Sequence, residues 1–300
     1  MPELIEKPVC FHDAAVCGEE IKEFVGRIST KTELLSIGLL VFPEGWSEPP
    51  QCPEFDEYTV VLEGSLYVDT ETAGTLIVRA GYGILTPRGE QIQYRTPEPN
   101  GATYIAVCFP AFSPELTHRK QNGVELPKTV QPQETSEKRT SQSRIVMCCR
   151  PTYLQGTGYV LKQVEEYFGY LNNNSQTVSI IRVQSYQGCK EEFQNIQYDN
   201  YYIVLKGELH FCIEYSCAEQ SDTWIKAVAG QAIFVRRGES FRCTAPTPNG
   251  AEYIMVSHPP YDRNDNTPSC FSDNNNFSDD NNHIIATNKE PFRLTPSTSL

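Results

Sequence analysis

Residues 78–107 read VRAGYGILTPRGEQIQYRTPEPNGATYIAV, and residues 227–256 read AVAGQAIFVRRGESFRCTAPTPNGAEYIMV. At a constant offset of 149 they share Ala80/Ala229, Gly81/Gly230, Ile84/Ile233, Arg88/Arg237, Gly89/Gly238 and Glu90/Glu239. Further along they share Pro97/Pro246, Pro99/Pro248, Asn100-Gly101-Ala102 with Asn249-Gly250-Ala251, and Tyr104-Ile105 with Tyr253-Ile254. Chance does not align so many positions without a gap, so the chain is an internal duplication. Upstream, DEYTVVLEGSL (56–66) matches DNYYIVLKGEL (199–209) at an offset of 143, together with Gly45/Gly188 and Gln51/Gln194. The six-residue change in offset falls between Gly64 and Gly81 in copy one and between Gly207 and Gly230 in copy two. An insertion there reads as a longer hairpin loop, where extra residues are cheap.

Both copies read as all-β. Thr59–Leu62 and Tyr202–Leu205 are short β-branched and aromatic runs stopped by glycine, and Leu66–Val68 and Leu209–Phe211 restart beyond it. That pattern predicts a hairpin at Gly64 and at Gly207. Pro87-Arg88-Gly89 and Arg236-Arg237-Gly238 predict turns, as do Asn100-Gly101 and Asn249-Gly250. Many short strands punctuated by Gly and Pro argue a sandwich or barrel. A short helix is expected before each barrel, at Glu19–Val25 and Val160–Phe168. The organisation that follows is barrel one over 1–118, a polar linker over 119–144, barrel two over 145–261 and an Asn/Asp/Ser-rich disordered tail over 262–300.

Composition narrows the partners. With 25 basic and 38 acidic residues the net charge is −13, which repels phosphate backbones and anionic membranes. No run of apolar residues approaches a membrane span. Met1-Pro2-Glu3-Leu4-Ile5-Glu6-Lys7 has neither the basic start nor the apolar core of a signal peptide, so a cytosolic protein is expected. In that setting the 11 irregularly spaced cysteines read as free thiols.

The glycine spacings resemble the two motifs of the cupin superfamily. The first is Gly, five residues, His-x-His, three or four residues, Glu, six residues, Gly. The second is Gly, five residues, Pro-x-Gly, two residues, His. Copy one has Gly45, Gln51-Cys52-Pro53, Glu57 and Gly64, then Gly81, Pro87-Arg88-Gly89 and Ile92, at those spacings. Copy two has Gly188, Gln194-Asn195-Ile196, Asn200 and Gly207, then Gly230, Arg236-Arg237-Gly238 and Phe241. The resemblance covers most of the chain and implies two tandem double-stranded β-helix (jelly-roll) barrels, a bicupin. It also implies where a metal would sit in metal-binding cupins: on Gln51, Pro53, Glu57 and Ile92, or on Gln194, Ile196, Asn200 and Phe241. Transition metals want imidazole, thiolate or several carboxylates, so neither a metal nor another cofactor is expected. A rearranged site in copy one on Glu57 and Gln51 with Glu54 or Cys52 is the alternative. None of the five histidines falls in a motif position, and His210 reads as a strand-surface residue.

The candidate site is therefore organic. Strand alternation puts Glu57 and Thr59 on one face and Asp56 on the other, and sets Tyr94 on the face of Ile92. Gln51, Cys52, Glu57, Thr59 and Tyr94 in copy one, and Gln194, Asn200 and Tyr202 in copy two, would line half-apolar cavities suited to a small metabolite. The competing reading is a narrow barrel simply filled by these side chains. Arg88 and Arg237 read as structural ion pairs at the barrel rim or between the barrels, with substrate binding as the competing account, and Cys108–Pro114 as an apolar strap packed on the barrel or across a homodimer contact. Three functions stay open. The first is binding of a small organic ligand without a metal. The second is an isomerase or lyase with Glu57 as general base, its pKa raised by burial. The third is a structural or storage role. Copy one is the expected seat of any activity, because it keeps a carboxylate where copy two has Asn200.

Overall fold

The computed structural model describes residues 2–11, 19–119, 146–154, 161–191, 193–213 and 223–261. The linker and tail expectations, at 119–144 and 262–300, lie almost wholly outside them. Copy one forms β1 (Glu3–Ile5), β2 (Val9–Phe11), β3 (Glu20–Val25), β4 (Ser36–Phe42), β5 (Trp46–Ser47), β6 (Asp56–Thr70), β7 (Gly74–Arg79), β8 (Gly83–Thr86), β9 (Ile92–Thr96) and β10 (Ala102–Phe109). A single 3-10 turn at Pro114–Thr117 follows. Copy two repeats the series as β11 (Met147–Cys149), β12 (Thr152–Leu154), β13 (Lys162–Phe168), β14 (Ser179–Ser185), β15 (Cys189–Lys190), β16 (Gln194–Asn195), β17 (Asp199–Ile213), β18 (Thr223–Val228), β19 (Ala232–Val235), β20 (Ser240–Ala245) and β21 (Ala251–His258). The position of β16 is matched in copy one by a lone bridge between Gln51 and Ile92.

Each copy curls into its own antiparallel sheet system, ordered β11-β8-β6-β10-β4-β3-β2 in one and β1-β19-β17-β21-β14-β13-β12 in the other. The end strands are exchanged: β1 pairs with β19 of copy two, and β11 pairs with β8 of copy one. Three apolar clusters result. One fills barrel one and one fills barrel two. The third lies between the barrels and draws equivalent residues from both copies: Phe24 and Tyr167, Ile37 and Ile180, Tyr58 and Tyr201, Val60 and Ile203. Burial from both sides explains why Glu57, Tyr58, Thr59, Val60 and Val61 are all buried in one strand. Odd positions face the barrel and even positions face the other copy.

Two expectations fail for identifiable reasons. The flanking helices at Glu19–Val25 and Val160–Phe168 are strands β3 and β13. A bulge interrupts alternation in each, between Glu23 and Val25 and between Glu166 and Phe168. The extra residue makes Ile21, Phe24 and Val25 imitate helical spacing. The carboxylate at each bulge gathers the backbone that follows it. Glu23 accepts the amides of Ile28 and Ser29, and Glu166 those of Leu171 and Asn172. The expected hairpins at Gly64 and Gly207 are not turns. β6 and β17 each run 15 residues straight through the glycine. Before Gly64, β6 pairs with β8 and β10; beyond it, with β7 and β9. The glycine is where the strand leaves one sheet for the other. Asn100-Gly101 is a turn, closed by the Gly101 amide on the Glu98 carbonyl, but it joins β9 to β10, which lie on opposite halves of β6 and do not pair with each other.

The crossing is tight enough to exclude any side chain. Gly64 has φ +72°, and a Cβ there would run into the Gly101 carbonyl oxygen; Gly207 repeats this against Gly250. Gly64→Ala is expected to destabilise the protein by about 2 kcal/mol or more, from the left-handed backbone and the clash together. Urea unfolding checks it, and an effect under about 0.5 kcal/mol would mean that the two segments separate freely.

Of the two rim arginines, Arg88 forms an ion pair, with a partner other than its neighbouring glutamate, whereas Arg237 places its backbone amide on Asp199 Oδ1 at 2.9 Å. Arg88 grips Asp56 with Nε at 3.2 Å and Nη2 at 2.8 Å, and its amide caps the same carboxylate at 2.8 Å. Glu90 instead accepts from the amide and hydroxyl of Thr72, both at 2.8 Å. The strap after β10 lies on barrel one, with the Phe112 amide on Ser36 and its ring against Phe55. Cys10, Cys52, Cys108, Cys148, Cys149 and Cys189 are free thiols.

Candidate functional site

Barrel one concentrates buried polar groups on the inner faces of three strands. Glu57 and Thr59 stand two apart on β6, and the Thr59 hydroxyl donates to Glu57 Oε1 at 3.2 Å. Register sets Thr86 of β8 opposite Glu57. The Thr86 and Tyr94 hydroxyls are hydrogen-bonded at 2.9 Å, and the Tyr94 hydroxyl also bonds Glu57. All four side chains are buried. Gln51 is fixed from behind by paired backbone bonds with Ile92, both 2.8 Å.

The next carboxyl is one that sequence reasoning missed. Glu48 leaves β5 with its amide on the Tyr94 carbonyl at 3.2 Å, and its Oε1 accepts from Gln51 Nε2 at 2.6 Å. Its Oε2 lies 3.6 Å from Nη2 of Arg119, whose side chain is half exposed. Gln51 Oε1 is buried without a hydrogen-bond partner.

Burial dominates the electrostatics. It pushes Glu57 up to about 7, with hydrogen bonds from Thr59 and Tyr94 opposing it. Glu48 rises further, to about 8: burial leads, Arg119 opposes, and the Glu57 charge adds. The Tyr94 and Tyr104 phenols are pushed well up, by burial first and then by Glu57. Near neutral pH, therefore, barrel one holds one carboxyl close to its midpoint beside one that is mainly protonated.

Barrel two is built on the same frame with its acid neutralised, although Gln194 Oε1, like Gln51 Oε1, has no hydrogen-bond partner. Asn200 replaces Glu57; it donates to the Tyr202 hydroxyl at 3.2 Å and accepts from Ser257 at 2.6 Å. Glu191 replaces Glu48, with its amide on the Cys243 carbonyl at 2.9 Å, and takes Gln194 Nε2 at 2.7 Å. Its other oxygen meets the ammonium of Lys162, and both partners are buried. Aromatic rings fill the rest. Tyr202 lies 4.9 Å from Phe211, 6.1 Å from Phe241 and 5.9 Å from Tyr253, centroid to centroid.

Of the expected site residues, the structure brings Glu57, Thr59 and Tyr94 into direct contact, with Gln51 joined to them through Glu48. Cys52 is half-buried, its amide on the Thr117 carbonyl at 2.9 Å. Glu54 is turned outward onto His118 at 2.6 Å. In copy two Asn200 and Tyr202 meet, and Gln194 meets Glu191. Glu48 carries a signal in the sequence: it repeats with Glu191 at the offset of 143, three residues before the repeated glutamine.

No protein-family model matches the chain. Solved structures establish the fold: it is a tandem cupin. The oxalate decarboxylase of Lactobacillus farciminis, solved as a formate complex, superposes with a TM-score of 0.65 at 12% identity, covering 87% of this chain and 86% of that one. That of Bacillus subtilis, a protein with Mn(II) centres, gives 0.64 at 14% identity, covering 87% and 78%. Over 111 residues the chain is 42% identical to a protein named endoribonuclease YbeY from Myxococcus xanthus, and it spans 36% of that relative's length. The donors that a manganese ion would need do not fit here. The motif positions hold Gln51, Pro53 and Ile92 around Glu57, and Gln194, Ile196 and Phe241 around Asn200. Among the described residues no group of three or more His, Cys, Asp or Glu is placed to hold an ion. Among them also, no helix is long and apolar enough to cross a membrane.

Proposed function

We propose that barrel one binds a small polar organic ligand without a metal, and that barrel two is its scaffold. One observation carries this: the inequality of the two barrels at equivalent positions. Barrel two neutralises Glu191 with buried Lys162 and encloses Asn200 in hydrogen bonds. Barrel one keeps Glu48 and Glu57 buried, and the cation that faces Glu48 among the described residues, Arg119, is half exposed. A fold gains nothing in stability from burying acids in that way, so the arrangement suits recognition. Glu57, Tyr94, Thr59 and Gln51 supply the convergent polar groups, and Val61, Ile92 and Tyr104 the apolar wall.

A second reading has its own support. A carboxyl held near 7 is suited to take a proton at neutral pH, and the adjoining Tyr94 hydroxyl can position a polar atom of the substrate. That would make barrel one a metal-independent isomerase or lyase with Glu57 as base. Glu57→Gln separates both readings from a structural role. It is expected to weaken ligand binding or turnover by about 100-fold or more, within the usual range for a general base, with no loss of melting temperature at pH 8. Unchanged function with a lowered melting temperature would make Glu57 a structural acid. Loss of function on Asn200→Ala, with Glu57→Gln silent, would place the site in barrel two.

A further inference from the structure

The two barrels differ by one buried ammonium. In copy two, Lys162 at the start of β13 reaches Glu191 inside the barrel, and both side chains are buried. The frame around Glu48 is the same: its amide bonds the carbonyl of Tyr94 as that of Glu191 bonds Cys243, and it takes the same glutamine amide three residues on. Position 19, the counterpart of Lys162 at the offset of 143, is Glu19. Copy one thus keeps the carboxylate and glutamine of an ammonium site and replaces the lysine with an acid.

Building on the ligand-binding reading of barrel one, we propose that its ligand is a small primary amine whose ammonium group docks on Glu48, in the place that Lys162 occupies in barrel two. Gln51 adds an open acceptor beside Glu48. Its side chain is buried, with 4% of the residue exposed, and Oε1 has no hydrogen-bond partner, an acceptor that an N–H group would satisfy. Gln194 Oε1 is also unpaired in copy two, so this open acceptor belongs to the frame that the two barrels share. The guest's remaining polar atoms face Glu57 and Tyr94. The charges nearby favour a cation: Glu57 on β6 acts on Glu48, and Glu19 before β3 acts with both of them on Tyr104, against the half-exposed Arg119. Because burial holds Glu48 up to about 8, an arriving ammonium displaces its proton at pH 7, and the ligand's charge replaces it.

The experiment is calorimetry and thermal melting of the full chain with n-propylamine, 1-propanol and propionate at pH 7. Propylamine is expected to bind saturably, to raise the melting temperature and to release a proton to buffer, while the alcohol and the acid do none of these. Glu48→Gln is expected to weaken propylamine by about ten-fold or more, equal to about 1.4 kcal/mol. Glu19→Lys installs the copy-two lysine; it is expected to raise the melting temperature by itself and to abolish the propylamine response. Absence of saturable propylamine binding, or binding that both variants leave unchanged, overturns the proposal. If a neutral or anionic compound instead binds in a Glu57→Gln-sensitive way while propylamine is silent, the amine assignment falls and the ligand-binding reading stands. If nothing binds in that way, both fall.

Discussion

Phe241→Ala is expected to lower the unfolding free energy by about 3–5 kcal/mol, the range for truncating a fully buried phenylalanine. Phe241 has no exposed surface, and its ring lies 5.7 Å from Phe211 and 6.1 Å from Tyr202. Register opposes Phe241 to Gln194 on β16 and to Ile213 on β17, so it closes the barrel wall where three strands meet. Nothing flexible is available to fill the hole, because Tyr202 is anchored by Asn200 and Phe211 by its place in β17. The denaturant midpoint should fall with the slope unchanged. A loss under about 1 kcal/mol would show that barrel two has room to spare and is not a filled scaffold.

Raising the pH is expected to weaken the fold while leaving its contacts intact. Both acids of barrel one have folded-state pKa values above the ordinary 4.5, about 8 for Glu48 and about 7 for Glu57. Between those limits the folded protein holds protons that the unfolded chain has released. Stability therefore falls as pH rises through the window from about 4.5 to 8 and levels off above it. Each unit of elevation is worth about 1.4 kcal/mol, so the two acids together remove on the order of 8 kcal/mol by about pH 8.5. The double variant Glu48→Gln with Glu57→Gln should match the wild type near pH 5 and exceed it near pH 8.5. Urea unfolding at the two pH values measures this directly. A wild-type profile that rises with pH, or a double variant no more stable than the wild type at the higher pH, would mean that the carboxyls are ionised and solvated in the folded state.

The glycines make the fold legible in the sequence. Gly64 and Gly81, with Gly207 and Gly230, hold left-handed backbone at fixed places in both copies, and such positions leave a spacing signature that side-chain drift does not erase. What that signature does not say is what each glycine does. Gly64 ends a β-branched run as a turn glycine would, yet it bends a continuous strand against Gly101, far along the chain, a contact that no local pattern encodes. The bulges in β3 and β13 hide two strands for a similar reason, since one extra residue breaks the period of two on which strand recognition rests. The exchange of β1 and β11 is invisible because three-residue strands carry almost no periodicity.

The site is half legible. Glu57, Thr59 and Tyr94 follow from alternation, which the inner faces of β6 and β9 obey. Glu48 escapes because it lies beyond a two-residue strand and outside the motif positions, where alternation has nothing to count from. Its importance comes from a neighbour supplied by folding, Gln51, and from a lysine that only the other copy possesses.

Barrel one keeps two buried acids poised near neutral pH, while barrel two has neutralised or replaced its own. Carbon-13 NMR of glutamate-labelled protein, titrated from about pH 4 to about pH 9, reads that difference at the carboxyls themselves. Two side-chain carboxyl resonances are expected with midpoints of about 7 and about 8, one lost in Glu57→Gln and the other in Glu48→Gln. Carboxyl resonances that all titrate below about pH 5.5, the range of ordinary glutamates, would contradict it.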